Sequence, residues 1–72
     1  MNNGNRRFNG IVKDYDDLRG CGIIELETGE QVSVRYSAIS GQGIRHLKRG
    51  EKVSCMLERG ARGAQAVQVM RK

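Results

Sequence analysis

Arg19-Gly20-Cys21-Gly22-Ile23-Ile24-Glu25-Leu26 is followed, after a polar segment with a glycine, by Val32-Ser33-Val34-Arg35-Tyr36-Ser37. Each stretch has the composition of a β-strand, and residues 27–31 between them favour a hairpin. Alternate side chains of a strand lie on opposite faces of a sheet, so one face of this hairpin is apolar. The predicted core residues of the hairpin are Ile24, Leu26, Val32 and Val34.

The opposite face of the same hairpin is mixed in character. It carries Cys21, Ile23 and Glu25 on the first strand, and Ser33 and Arg35 on the second. Exposed polar and charged residues beside a small apolar patch are typical of a binding surface. We therefore expect function to lie on this face.

The composition limits the kinds of partner. The chain has 72 residues, enough for one small domain, and a formal net charge of +5 with a pI near 9.8. So basic a chain favours polyanionic partners, and nucleic acid above others. Its only aromatic residues are Phe8, Tyr15 and Tyr36.

The inventory of reactive residues is small. Cys21 and Cys55 form no Cys-x-x-Cys pair, and His46 is the single histidine, so neither a zinc site nor a catalytic set is predicted. No cofactor is implied, and the sequence predicts a protein that is not an enzyme. The N-terminal residues lack the apolar segment of a secretory signal, so the expected location is the cytoplasm, with both thiols reduced.

The rest of the chain predicts a small all-β barrel. The expected domain covers residues 8–70, with a disordered tail at 1–7 and a basic C-terminus at 71–72. Val12 is expected in the core and Lys13 on the functional side. Besides the hairpin, the predicted elements are strands at 8–13, 53–58 and 64–70, a turn of 3₁₀ helix at 37–40, a loop at 41–50 and a turn at 59–63.

An acidic cluster interrupts the basic background. Asp14, Asp16 and Asp17 lie at the expected end of the first strand. Aspartate side chains accept hydrogen bonds from nearby backbone N–H groups in turns, and we interpret the cluster as turn chemistry. Metal binding is the alternative, although no further ligands are in view.

Several motifs resemble the cold-shock domain, a five-stranded antiparallel OB-fold barrel. The resemblance extends from about Phe8 to Val69 and implies the fold. The motifs that carry it are Gly10-Ile11-Val12-Lys13, Arg19-Gly20-Cys21-Gly22-Ile23-Ile24, Val32-Ser33-Val34-Arg35-Tyr36-Ser37-Ala38-Ile39 and Gly60-Ala61-Arg62-Gly63-Ala64-Gln65-Ala66.

The chain departs from the family where bases usually stack. Members of the family present aromatic rings at the positions of Cys21 and Ile23, a phenylalanine at Ser33, a histidine at Arg35 and a tryptophan at Asp14. A loop phenylalanine is replaced by Ile44, and alanines stand at 61 and 64, where the family often has proline. Each lost stacking platform removes about 1–3 kcal/mol of binding free energy per base.

The resemblance implies a protein that binds single-stranded RNA or DNA, as an RNA chaperone or a regulator of transcription or translation. With most rings replaced, we expect weak, charge-driven binding that falls steeply with salt. An arginine at position 35 can still stack on a base or bind a phosphate. The predicted nucleic-acid-binding residues are Lys13, Tyr15, Arg19, Ile23, Arg35, Tyr36, Arg62 and Gln65.

A second hypothesis stays open beside this one. In a diverged domain, Cys21 and Ile23 would form an apolar patch where aromatic rings stood, and the patch would contact a protein partner or a second copy of the chain. Nucleic-acid binding ranks first, because the net charge and the barrel motifs both favour it.

Overall fold

Five β-strands close into a barrel in the computed structural model, which describes residues 7–40, 47–61 and 63–72. The strands are β1 (Phe8–Asp16), β2 (Cys21–Leu26), β3 (Gln31–Arg35), β4 (Lys52–Gly60) and β5 (Gly63–Arg71). Their order around the barrel is β1-β2-β3-β5-β4, antiparallel at every seam except the parallel one between β3 and β5. The predicted five-stranded barrel of the OB-fold type is confirmed.

The core follows the alternation seen in the sequence. The residues predicted to face inward are at most 3% exposed: Val12, Ile24, Leu26, Val32 and Val34. The same core contains Ile39, Leu47, Val53, Cys55, Ala66 and Val69. Burial raises the pKa of the Cys55 thiol, so this cysteine is a neutral apolar side chain of the interior at neutral pH.

The first strand is longer than predicted. The sequence places a strand end and turn after residue 13, but β1 continues to Asp16. A β-bulge lies between Val12 and Asp14, so that Lys13 is the extra residue of β1. The prediction was wrong because a bulge shifts the alternation of side chains while the backbone remains extended.

The third strand ends earlier than predicted. β3 stops at Arg35, and a single turn of 3₁₀ helix covers Tyr36–Ala38 instead of starting at residue 37. The backbone N–H of Ile39 donates to the carbonyl of Tyr36 over 3.1 Å, which closes the turn. Tyr36 therefore stands at the corner where the chain leaves the sheet, rather than within a strand.

The hairpin of β4 and β5 is also tighter than predicted. The expected turn at 59–63 is reduced, because Gly60 already pairs with Gly63 across the two strands. Gly63 has φ +105°, a conformation that a residue with a Cβ rarely adopts, and this glycine allows the sharp return. Both strands extend beyond the predicted ranges at each end.

The described part of the N-terminus touches the barrel. Residues 1–6 of the expected tail lie outside the described residues. The guanidinium of Arg7 donates to the carbonyls of Gln68, over 2.6 Å, and Ser54, over 3.1 Å. At the other end of the chain, Arg71 is the last residue of β5. Within the described residues, no helix combines the length and apolar character needed to span a bilayer.

Candidate nucleic-acid interface

The outward face of β1, β2 and β3 brings most of the predicted site together. The register aligns Asp14 on β1 with Ile23 on β2 and Ser33 on β3. The next outward row of the same strands aligns Asp16 with Cys21 and Arg35. Ser33 and Arg35 are exposed, as predicted for the functional face of the hairpin.

Tyr36 lies at the edge of this face, on a support made by Gly20. Its side chain is 56% exposed. A Cβ built on Gly20 would lie 3.1 Å from the ring Cδ1, so the glycine allows one side of the ring to rest on the backbone. The backbone N–H of Tyr36 donates to the Gly20 carbonyl over 2.7 Å. A ring held in this way offers its other side to solvent, the geometry that base stacking needs.

Tyr15 is more enclosed than Tyr36. It is half-buried, packs against the core, and its Cδ1 lies 2.9 Å from the place that a Cβ on Gly22 would occupy. Burial, together with Asp17 and Cys21, raises the pKa of its hydroxyl. The phenol is therefore neutral at physiological pH and can donate a hydrogen bond. Sequence reasoning missed the role of Gly22 in seating this ring.

Two predicted binding cations are engaged by carboxylates of the same face. The Lys13 Nζ lies 3.4 Å from an oxygen of Glu25, and the Arg19 Nε lies 4.0 Å from an oxygen of Asp16. Both pairs are largely exposed, where an ion pair contributes about 1 kcal/mol or less. A phosphate can therefore displace the carboxylate, but it must compete for each cation.

Asp14 has a partner that the sequence did not identify. An oxygen of its carboxylate lies 3.6 Å from the Arg49 Nη2, in the segment that precedes β4. Lys13, which is adjacent to Asp14 in the sequence, pairs with Glu25 instead. Arg49 is far from Asp14 in the sequence, and only the closed barrel brings the two together.

The aspartate cluster divides into two roles. One oxygen of Asp16 accepts hydrogen bonds from the backbone N–H groups of Leu18, over 2.9 Å, and Arg19, over 3.3 Å. The turn chemistry predicted from the sequence is thus confirmed for Asp16. Asp14 instead lies on the outward face within β1 and pairs with Arg49. Within the described ranges no group of three or more His, Cys, Asp or Glu is arranged to hold a metal ion.

The remaining predicted residues are placed as follows. Gln65, on β5, is half-buried and forms the parallel bridge with Ser33 of β3. Arg62 lies outside the described residues, as does Ile44. Ile23 is 38% exposed and Cys21 is half-buried, so the apolar patch proposed for protein contact is small.

The arrangement suits reversible binding of an extended polyanion. It combines one exposed aromatic ring, the guanidinium of Arg35, exchangeable cations, and the polar side chains of Ser33 and Gln65 on adjoining strands. Stacking and charge are the two terms by which proteins bind single strands. A folded duplex would hide the base faces that Tyr36 can contact.

Comparisons with known proteins agree with this geometry. The family model described as the 'Cold-shock' DNA-binding domain matches residues 8–72. Cold shock protein CspC of Bacillus subtilis is 47% identical over 62 residues, covering 86% of this chain and 94% of CspC. The major cold shock protein CspA of Pseudomonas aeruginosa is 40% identical over 63 residues, covering 88% of this chain and 91% of CspA.

A solved structure supports the fold independently. The chain described as drosophila Unr CSD456 superposes with a TM-score of 0.78 at 14% sequence identity. The match covers 96% of this chain and 28% of that chain. At such low identity the likeness concerns the fold of the barrel alone.

Proposed function

Because the chain belongs to the cold-shock domain family, whose members bind nucleic acids, we propose that it binds single-stranded RNA or DNA through the outward face of β1–β3. The observation that carries the proposal is the exposed ring of Tyr36, held against Gly20 beside Arg35. The ring provides a stacking surface and the guanidinium a charged one. The action is non-catalytic, in the cytoplasm, as an RNA chaperone or a regulator of transcription or translation.

The mechanism follows from preferential binding. An RNA hairpin exchanges with an open form whose bases are unpaired. A protein that binds only the open form shifts this equilibrium by mass action, in proportion to its concentration over its dissociation constant. Weak binding allows rapid release, which suits a protein that melts structure without retaining the strand.

Fluorescence anisotropy of labelled heptamers tests the proposal. We expect single-stranded RNA or DNA to bind more tightly than a duplex of the same sequence, and binding to weaken between about 50 mM and 200 mM salt. Two or three phosphate contacts give a slope of about −1.4 to −2.1 in log K against log salt. Absence of binding at the lower salt would overturn the proposal and favour a protein contact through Cys21 and Ile23.

Replacement of the Asp14 carboxylate is expected to strengthen the binding of single strands rather than weaken it. We expect Asp14→Asn to raise the affinity for single strands about threefold, because it removes a negative charge from the face and releases Arg49 for phosphate. The measurement is the same anisotropy titration, repeated at both salt concentrations. The gain should shrink at the higher salt, where charges are screened.

Glu27→Gln is the matched control for Asp14→Asn. It also removes one negative charge, from an exposed position just after β2, where no ion pair forms within the described residues. We expect its effect on affinity to be smaller than that of Asp14→Asn. Equal gains would show that net charge alone matters and that the Asp14–Arg49 pair does not restrain binding.

A further inference from the structure

The guanidinium of Arg35 differs from the other cations of the face. Lys13, Arg19 and Arg49 each lie within 4.0 Å of a carboxylate oxygen. Arg35 is exposed, and its neighbour across the β2–β3 ladder is the uncharged Cys21. Among the described residues it makes no ion pair. Its donors are therefore available to a ligand without displacing a carboxylate.

Polar side chains, rather than a second aromatic ring, lie near Arg35. Ser33 lies two residues earlier on the same face of β3, about 7 Å away along the strand. Ser33 in turn bridges to Gln65 of β5. Tyr36 follows Arg35 directly and carries the exposed ring. A base stacked on this ring would have its edge near hydrogen-bonding side chains rather than near a second ring.

A free guanidinium is selective among bases. It presents two parallel N–H donors, and guanine presents the acceptors O6 and N7 side by side, whereas adenine offers a donor beside N7 and pyrimidines lack N7. In a single strand this edge of the base is open to protein. We infer that Arg35 makes this chain prefer a guanine at the site beside Tyr36. The inference rests on the proposed function.

The experiment compares heptamers of thymidine with heptamers that carry one guanine, scanned through each position. We expect one position to bind about tenfold more tightly with guanine than with thymine. A heptamer with adenine there should bind like thymine, and one with 7-deazaguanine, which lacks the N7 acceptor, should lose most of the preference. Binding of the thymidine heptamer itself tests the proposed function separately.

Arg35→Lys provides the decisive variant, because it retains the charge and removes the planar pair of donors. We expect the guanine-to-thymine ratio to fall from about tenfold to about threefold, because an ammonium can still donate to O6 and N7 but without the fixed parallel donors. The matched control is Arg19→Lys on the same face, which should keep the preference. If Arg35 instead only stacked, Arg35→Lys would weaken all heptamers by one factor and leave the ratio unchanged.

Three results would overturn the inference. The first is a wild-type protein that binds the thymidine heptamer but shows no preference for guanine at any position. The second is a preference for guanine that is undiminished in Arg35→Lys. The third is equal enhancement by adenine, guanine and 7-deazaguanine, which would indicate stacking of the larger purine ring rather than recognition of its edge.

Discussion

The Gly22→Ala substitution is expected to destabilise the barrel by about 3 kcal/mol or more. A Cβ at position 22 would overlap the carbonyl oxygen of Asp14 and lie 2.7 Å from the Cα of Tyr15 and 2.9 Å from its ring. Two of these three obstacles are backbone atoms of β1, so no change of rotamer can relieve the contact. β1 and β2 would have to separate where they pair.

The expected loss is a large fraction of the total free energy of unfolding. A domain of this size has a free energy of unfolding of about 4–11 kcal/mol, so the variant would be partly unfolded at moderate temperature. Urea denaturation followed by far-UV circular dichroism measures the change. We expect the midpoint to fall steeply, and nucleic-acid binding to fall with it because Tyr15 sits on Gly22.

Gly60→Ala is the matched control for Gly22→Ala. Gly60 also lies in a strand, but a Cβ there meets no atom within 4 Å and its φ is not in the left-handed region. Its substitution should leave the stability unchanged or raise it slightly, since alanine restricts the unfolded chain. If Gly22→Ala were as stable as Gly60→Ala, the close approach of β1 and β2 at this point would be refuted.

The sequence predicted the core of the β2–β3 hairpin because apolar side chains alternate there with outward-facing ones. In β2 and β3, Ile24, Leu26, Val32 and Val34 are separated by polar or exposed residues, and each is buried. Alternation of this kind depends only on neighbours in the chain. Assignment of the outward face was a direct consequence, because residues between core positions must point the other way.

The errors arose where tertiary contacts outweigh local pattern. The bulge before Asp14 cannot be read from alternation, because it is defined by the register against β2. Likewise the partner of Asp14 is Arg49, which closure of the barrel brings near, so sequence neighbours gave no indication of the pair. The glycines at 20 and 22 were recognised as parts of a motif, but their close contacts with two tyrosine rings are evident only from the structure.

The charge pattern of the face also needed the structure. Counting residues gives a basic chain and suggests a strongly cationic surface. The structure pairs Lys13 with Glu25 and Arg49 with Asp14, so part of the positive charge on this face is balanced locally. Because this charge is already balanced, we expect binding to depend more on the exposed ring of Tyr36 than the net charge of the chain suggests.

Replacement of Tyr36 by alanine should therefore cause the largest loss of binding on this surface. Base–aromatic stacking contributes about 1–3 kcal/mol per base, which corresponds to a loss of about 5- to 150-fold in affinity. The ring is 56% exposed and buries nothing in the core, so the fold should persist. Anisotropy with single-stranded heptamers measures the affinity, and opening of a fluorophore–quencher RNA hairpin measures the chaperone activity.

Tyr36→Phe is the control that separates stacking from hydrogen bonding by the hydroxyl. Phenylalanine retains the ring against Gly20, so its affinity should stay close to that of the wild type. The loss in Tyr36→Ala should persist at high salt, because stacking is screened far less than a phosphate contact. A Tyr36→Ala variant that binds heptamers and opens hairpins like the wild type would show that bases do not stack at this corner, and binding would then be purely electrostatic.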